Sequence, residues 1–354
     1  MKRVVIVGAG VIGLFCAVRL AKAGARVTLV EAEVEHARGP GASAAAAGML
    51  APMEPEPSTH EGIAFASLEL WRRWREGAQW ADGVRFDGGV VVARDAAGAG
   101  SIVHHAKRLG RTATQLSPAQ FRKRTGLRAM TEHTLFVADE GIADPLRVMS
   151  GLAMQARAHG VLVAYGRDAA TVSVNTVTTH EGEVYEADAV VIAPGVWASA
   201  SMLAAAPALK HVRPAKGHLV SVALKRTLAP NLRAPDFYLA RRREDVVLGS
   251  TMELGRTDRR VNPARVAELL AAAEAVFPGE VRGLDHSWAG IRPMSPDGWP
   301  MIGPTADGIL VAAGHSRNGW LLAPITAEII SGYVFGAELP PEWAALSPER
   351  FEPP

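Results

Sequence analysis

The chain has 354 residues, 48% of them hydrophobic, with 35 glycines, one cysteine and a formal net charge of +2. That length exceeds one ordinary core and implies two domains, or one domain with an insertion. The balanced charge, the lone cysteine and the lack of any apolar run near ~20 residues exclude a nucleic-acid surface, a disulfide framework, a CxxC metal site and a membrane-spanning helix.

The segment "RVVIVGAGVIG" opens with the β-branched run Val4 to Val7, the pattern of a strand buried on both faces. Gly8, Gly10 and Gly13 follow as G-x-G-x-x-G, then Leu14, Ala17, Val18 and Ala21 at helical spacing, with Gly24 as the stop. "ARVTLVE" is a second strand ending on Glu31. Each type has a reason: Gly8 permits a tight turn, Gly10 lets phosphate approach the backbone, and Gly13 lets helix and strand pack closely. The helix N-terminus offers N–H groups to a pyrophosphate. Glu31 lies at the ~20-residue distance of an acid that accepts both ribose hydroxyls, and its charge disfavours NADP. These features in this order predict dinucleotide binding, and by themselves leave both NAD and FAD open. The start "MKR" plus apolar run mimics a secretory leader, but Arg19 and Lys22 fall where a cleavage region should be uncharged. Cys16 reads as a small buried residue on the helix. A single cysteine suits a reducing compartment, and a cytoplasmic protein is expected.

"GASAAAAGMLAP" (41–52) is a run of small residues, poor at packing a core and suited to lying flat along a bulky ligand. A low-complexity linker is the alternative, weakened by the apolar exit "GMLAP". "GIAFASLELWRRWREGAQWA" reads as a helix whose Leu68, Trp71 and Trp74 form a core stripe. "VRFDGGVVVARD" reads as strand, Gly-Gly turn, strand. His104 and His105 are adjacent in a helix near 100–110, so one face cannot present both to a metal, and no metal site is expected.

"ADEGIADPLRVMSGLAMQARAHG" is a turn, then a helix with Pro145 in its first turn. Strands resume and end in "ADAVVIAPGVWA" (187–198), which reads as the chain returning to the nucleotide-binding sheet. "RPAKGHLVSV", "PDFYLARR" and "DVVLGSTM" are further strands, and "PARVAELLAAAEAVFPG" a helix. The densest basic run, "RRR" at 241–243, reads as a solvated strand end. The layout is interrupted: nucleotide-binding pieces at 1–60, 140–210 and 290–354, and antiparallel-strand pieces at 61–139 and 211–289.

"WAGIRPMSPDGWPMIG" (288–303) puts a permanent charge, Arg292, into an otherwise apolar segment. Such a charge is costly to bury unless an anion meets it. "GILVAAGHSRNGWLLAPITAEIISGYVFG" (308–336) is a buried strand, a glycine-bounded loop and an apolar helix with Leu322, Ile325, Ile329 and Ile330 on its buried face. The loop delivers a helix N-terminus to whatever lies above the strand end. A flavin gaining electrons would be stabilised there.

"GAGVIG", "SAAAAGMLAP", "DEGIADP", "VVIAPGVW", "WAGIRPMSPDGWPMIG" and "GHSRNGWLLAP" stand in an order that resembles the FAD-dependent D-amino-acid oxidase (amine oxidase) family. Within it, the chain is most similar to the glycine oxidase branch of thiamine biosynthesis. The resemblance runs the whole length, thinner near 54–135 and 255–280. It implies an α/β FAD-binding Rossmann-type domain and an α+β substrate domain whose mainly antiparallel sheet roofs the flavin. It implies non-covalent FAD, touched by Val11 and Ile12 at the first turn and by Glu31 and Ala32 at the ribose. Ala42, Ser43, Ala47, Gly48 and Met49 would follow the pyrophosphate and ring, and Ala169 would meet adenine through its backbone. His315, Ser316, Arg317, Asn318, Gly319, Trp320 and Leu321 would lie against the flavin ring. No histidine stands in 41–49, and Cys16 belongs to the fingerprint helix, so covalent attachment is not expected.

By the same resemblance Arg292 would bind a substrate α-carboxylate, Tyr238 would bond the same group, and Arg317 would be a second substrate-side arginine. From the residues alone, Arg292 paired with an internal acid such as Asp297, Arg317 as a flavin or structural contact, and Tyr238 simply packed on its strand stay open. Asp236, Trp320 and Ala51 depart from the family pattern, and Trp320 would shrink or reshape the pocket. The implied reaction oxidises the Cα–N bond of glycine, sarcosine or a small D-amino acid. Hydride passes to flavin N5 without a side-chain acid or base, the imine is hydrolysed to the 2-oxo acid, and O2 becomes H2O2. Two alternatives stand beside it: a D-amino-acid dehydrogenase feeding a quinone or partner subunit, and an NAD-binding reductase or non-catalytic dinucleotide-binding subunit. The oligomeric state is left open.

Overall fold

The computed structural model describes residues 1–34, 41–53, 60–226, 228–242 and 245–351; the last arginine of the 241–243 run lies outside them. At the centre is the strand Arg3–Val7, flanked by parallel strands Ala189–Ile192 and Arg26–Glu31. The six-stranded sheet runs in space Met301–Pro304, Leu310–Ala313, Ala189–Ile192, Arg3–Val7, Arg26–Glu31, Leu162–Tyr165. Only its edge pair, Met301–Pro304 with Leu310–Ala313, is antiparallel. The two-sided burial of the first strand explains its unbroken apolar run. Val4 and Ile6 pack into one hydrophobic cluster, and Val5 and Val7 into another on the opposite face. The segment 187–198 returns to this sheet as expected, with Val4 opposite Ala189 and Val7 opposite Ile192.

Helix Val11–Lys22 covers one face and meets the long helix Gly319–Phe335. Gly13 fixes its approach, since a Cβ there would overlap the carbonyl oxygen of Gly8. Cys16 is buried on this helix, and burial pushes its thiol up to about 12.

The long helix carries Pro324, which has no N–H to give the carbonyl of Trp320. Helix Glu61–Arg75 supplies the missing donors. Trp71 Nε1 donates to the carbonyls of Trp320 at 3.0 Å and Leu321 at 3.1 Å. Ser67 Oγ donates to the carbonyl of Leu321 at 2.6 Å and accepts from the N–H of Ile325 at 3.3 Å. Of the expected core stripe, Leu68 and Trp71 are buried in the core and Trp74 packs half-buried against it.

A larger, mainly antiparallel sheet of nine strands roofs the other side. Its path runs Glu253–Leu254, Arg213–Leu224, Val246–Gly249, Tyr238–Arg241, Asn231–Arg233, Gly89–Val92, Thr134–Val137, Ala113–Gln115, with Val281–Met294 also pairing Arg213–Leu224. The two strands on either side of the Gly88–Gly89 turn form as expected but do not pair with each other. Val84–Arg85 pairs with Gly141–Ala143 in a three-stranded sheet, while Gly89–Val92 joins the nine-stranded one. Gly88, at φ +77°, turns the chain from one sheet to the other against the ring of Phe136.

His105 is buried against Glu61, and His104 is exposed. Among the described residues no group of three potential metal ligands occurs, and no helix is long and apolar enough to cross a membrane.

Candidate functional site

A cavity of about 1370 Å³ is lined by residues of both large sheets and of the segment 41–49. It extends from Glu31 past the glycine turn to Tyr238 and Arg292. All the site residues expected from the sequence line it except Gly13, which packs helix on strand, and Leu321, which is buried beneath the loop.

At one end Glu31 is fixed by backbone donors: Ala9 N–H reaches Oε2 at 2.6 Å, and Glu33 N–H reaches Oε1 at 3.0 Å. A carboxylate has about four acceptor positions, so two remain for vicinal hydroxyls. Ala32 and Ala169 line this end. Gly8 turns at φ +105°, with the Ala193 carbonyl where a Cβ would sit. Its neighbour Gly10 leaves the start of helix Val11–Lys22 open.

The small-residue run is an ordered wall rather than a linker. Ala42–Ala45 form one helical turn, and Met49–Leu50 pair with Gly141–Ala143. Ser43 Oγ accepts from Val11 N–H at 3.1 Å, and the Ser43 carbonyl accepts from Trp320 Nε1 at 3.2 Å. The Ala45 carbonyl accepts from Trp288 Nε1 at 2.9 Å. Gly48, at φ +80°, abuts the Ala143 carbonyl, so the wall tolerates no larger residue there. Trp320 is nearly buried, with its ring over Trp71. Its indole also lines the cavity, anchored to this wall through the Ser43 carbonyl.

The loop 314–319 also lines the cavity. Ser316 is held at φ 51° by donating its N–H to the Pro293 carbonyl at 2.8 Å and accepting from Ser295 N–H at 3.1 Å. His315 is buried, and its Nε2 lies 3.0 Å from Thr326 Oγ1. That hydroxyl already donates to the Leu322 carbonyl at 2.8 Å, so His315 carries its proton on Nε2. Burial pulls its pKa down to about 3, leaving it neutral and unsuited to acid–base work. Arg317 is exposed at the cavity.

Arg292 and Tyr238 occupy the far end. Arg292 lies on strand Val281–Met294 opposite Ala215, two residues from Gly217, and a Cβ on Gly217 would overlap its guanidinium nitrogens. Tyr238 lies opposite Gly249, where a Cβ would overlap its hydroxyl. Two neighbouring strands thus each contribute a glycine floor for one side chain at this end of the cavity. Arg292 Nη2 donates to Ser250 Oγ at 2.5 Å, and Nη1 to the Thr251 carbonyl at 3.2 Å. Among the described residues no carboxylate lies within ion-pair reach of it. Asp297 is taken by Arg350, by Ser295 Oγ and by Trp299 N–H. Burial lowers the pKa of Arg292, with a further push from Arg317 against the pull of Tyr238, and the guanidinium stays charged. Besides its two oxygen acceptors, Ser250 Oγ and the Thr251 carbonyl, it meets Met252 Sδ at 4.0 Å and the Tyr238 hydroxyl, and it lines the cavity. Burial pushes the Tyr238 phenol up, so it remains a protonated donor beside Arg292 and Ser250. Asp236 pairs with Arg94 at 3.4 Å on the exposed rim.

Gly217, Gly249, Ser250 and Thr251 were not singled out from the sequence. Their only signal was glycine inside alternating strands, in "AKGHL" and "VLGSTM", which marks close approach without naming what approaches.

The residues fit a flavin dinucleotide: fixed acid, open helix start, flat small-residue wall and helix-terminus loop lie along one cavity. The family model described as DAO, FAD dependent oxidoreductase, matches residues 3–332. The chain is 31% identical to the glycine oxidase of Bacillus licheniformis, over 98% of this chain and 97% of that one. It is also 31% identical to the bifunctional protein ThiO/ThiG of Synechocystis, over 98% of this chain and 54% of that longer one. The crystal structure of glycine oxidase from Geobacillus kaustophilus superimposes with a TM-score of 0.86 at 28% identity, covering 100% of both chains. These matches agree with the expected fold, and they favour neither an NAD-binding reductase nor a non-catalytic subunit.

Proposed function

Because this chain belongs to the DAO family of FAD-dependent oxidoreductases, we propose that it oxidises the C–N bond of a small amino acid held by its carboxylate, with glycine, sarcosine and small D-amino acids as the candidate substrates. The observation that carries this reading is Arg292: a charged guanidinium at the cavity, with neutral partners only, no carboxylate in ion-pair reach among the described residues and a glycine floor beneath it. Bound FAD supplies the acceptor for the electrons of the Cα–H bond. Arg292 grips the carboxylate through two parallel N–H bonds, Tyr238 donates to the same group, and Arg317 closes on it from the loop. Gripping one end of so small a molecule fixes the other, and holding reacting atoms ~3–3.5 Å apart is the protein's main contribution. The amine enters neutral. With His315 locked as a neutral donor to Thr326, the loop contributes position rather than a base.

The two-domain reading, 1–60, 140–210 and 290–354 against 61–139 and 211–289, is supported by sheet membership. The six-stranded sheet draws only on the first set. The nine-stranded sheet draws on the second, apart from the end of Val281–Met294, which carries Arg292 across to the cavity.

Dioxygen is the proposed final acceptor. The test is an aerobic assay of the yellow protein with glycine, sarcosine and D-alanine, measuring amine consumed and peroxide formed. One peroxide per amine is expected. Reduction of an artificial quinone without peroxide would instead favour the dehydrogenase, and a colourless protein that binds NAD would defeat the reading.

A further inference from the structure

Strand Arg213–Leu224 alternates at "KGH", residues 216–218. Gly217 faces the cavity beneath Arg292, so Lys216 and His218 face the other way. Both are almost wholly buried, yet neither touches the cavity. Lys216 Nζ donates to Asp258 Oδ1 at 2.7 Å and to the Arg260 carbonyl at 2.5 Å. His218 Nε2 accepts from Asn262 N–H at 3.1 Å, which puts its proton on Nδ1, 2.9 Å from Thr251 Oγ1. The backbone N–H of His218 donates to the same hydroxyl at 2.9 Å.

These bonds all end on one segment, 250–262. That segment begins with Ser250 and Thr251, whose hydroxyl and carbonyl take two N–H groups of Arg292. We propose that Lys216 and His218 are positioning residues for the substrate carboxylate: from behind the strand they anchor the 250–262 segment, and that segment sets the orientation of the Arg292 guanidinium. The proposal rests on the reading that Arg292 holds the carboxylate.

The chemistry of the two anchors fits this role. A buried ammonium is a weak source of net stability, because its desolvation offsets much of the attraction to its partner. What the pair does secure is geometry, since a lysine with two fixed acceptors cannot let the loop drift. Thr251 transmits that geometry directly, with its hydroxyl on His218 and its carbonyl on Arg292. Without the anchors the guanidinium would lose its two fixed acceptors and spread over more rotamers before the anion arrives. Binding would weaken, while the bound complex would react nearly as before, so KM rises and kcat holds.

The test uses the full-length FAD-loaded protein as wild type, Lys216→Met and His218→Leu, with Lys216→Arg and His218→Gln as conservative counterparts. Two quantities are read: KM and kcat for the best amino acid substrate, and the dissociation constant of acetate, an unreactive carboxylate, from its perturbation of the visible spectrum. Lys216→Met and His218→Leu are expected to weaken acetate and raise KM by roughly tenfold, with kcat changed by less than about twofold and recovery in the conservative variants. In an Arg292→Ala background the same substitutions should weaken acetate no further, because they act through that side chain. Unchanged acetate binding in Lys216→Met and His218→Leu, or an equal loss with and without Arg292, overturns the proposal. Should either variant fail to fold, Asp258→Asn loosens the same tether from its more exposed end and is expected to act in the same direction. If Arg292→Ala alone leaves acetate binding intact, the carboxylate reading fails first. If it abolishes binding while the anchors have no effect, only the proposal fails.

Discussion

Gly217 and Gly249 decide where Arg292 and Tyr238 can lie, and neither could be read as functional from the sequence. A strand glycine says that something comes close, and here what comes close is a guanidinium or a phenol from another strand. Arg292 itself stands out in the sequence, because a permanent charge in an apolar segment is costly to bury without an anion. Gly217→Ala should push the guanidinium off its floor, raising KM for a carboxylate substrate by roughly tenfold or more while FAD content stays full. Steady-state kinetics beside the flavin absorbance would show this. His315 gives a prediction of opposite kind. Its folded pKa, about 3, lies below the ~6.5 of an unfolded histidine, so the unfolded chain binds the extra proton between those values. Stability should therefore fall as pH drops from about 6.5 toward 3, and a His315→Leu variant should show a shallower decline by up to one proton. Thermal midpoints across that range measure it. Activity between pH 6 and 9 should show no ionisation that His315→Leu removes, a range set by the same ~6.5 reference.

Helix Glu61–Arg75 and helix Gly319–Phe335 work as a pair. The apolar periodicity of both was plain, and the stripe of Leu68 and Trp71 reads correctly as core. What the spacing could not show is that Pro324 leaves a carbonyl without its helical donor and that Trp71 and Ser67 answer it across the core. Trp71→Phe keeps most of the ring and loses the donor. It should cost about 1–3 kcal/mol, the penalty of an unsatisfied buried group, and should weaken FAD because the same helix starts at the loop 314–319. Denaturant titration and flavin release both measure it. At Gly88–Gly89 the strand, turn, strand order was legible for local reasons, while the pairing was not, because the partners of its two strands lie far away in sequence.

Across the whole molecule, the nucleotide-binding half was the most legible part, because its reasons are local: a strand, a turn, a helix start and an acid within one supersecondary unit. The Arg292 end of the cavity was not, since Tyr238, Gly217 and Arg292 meet Ser250 only when three separate strands and the turn after Gly249 are assembled. Both sheets line one cavity, so cofactor binding and overall stability should be linked. Stripping the flavin is expected to lower the thermal midpoint, and free FAD at a hundredfold above its dissociation constant should restore about 2.7 kcal/mol.

The most direct measurement is an anaerobic titration of the yellow protein with its best amino acid substrate, wild type beside Arg292→Ala, followed by bleaching of the flavin band. Removing one side of a buried charged hydrogen-bonded pair costs about 2 kcal/mol or more, so the variant should need at least roughly thirtyfold more substrate for half-bleaching. Equal half-bleaching concentrations in the two proteins would contradict the role of Arg292, and with it the assignment of an amino acid carboxylate to this site.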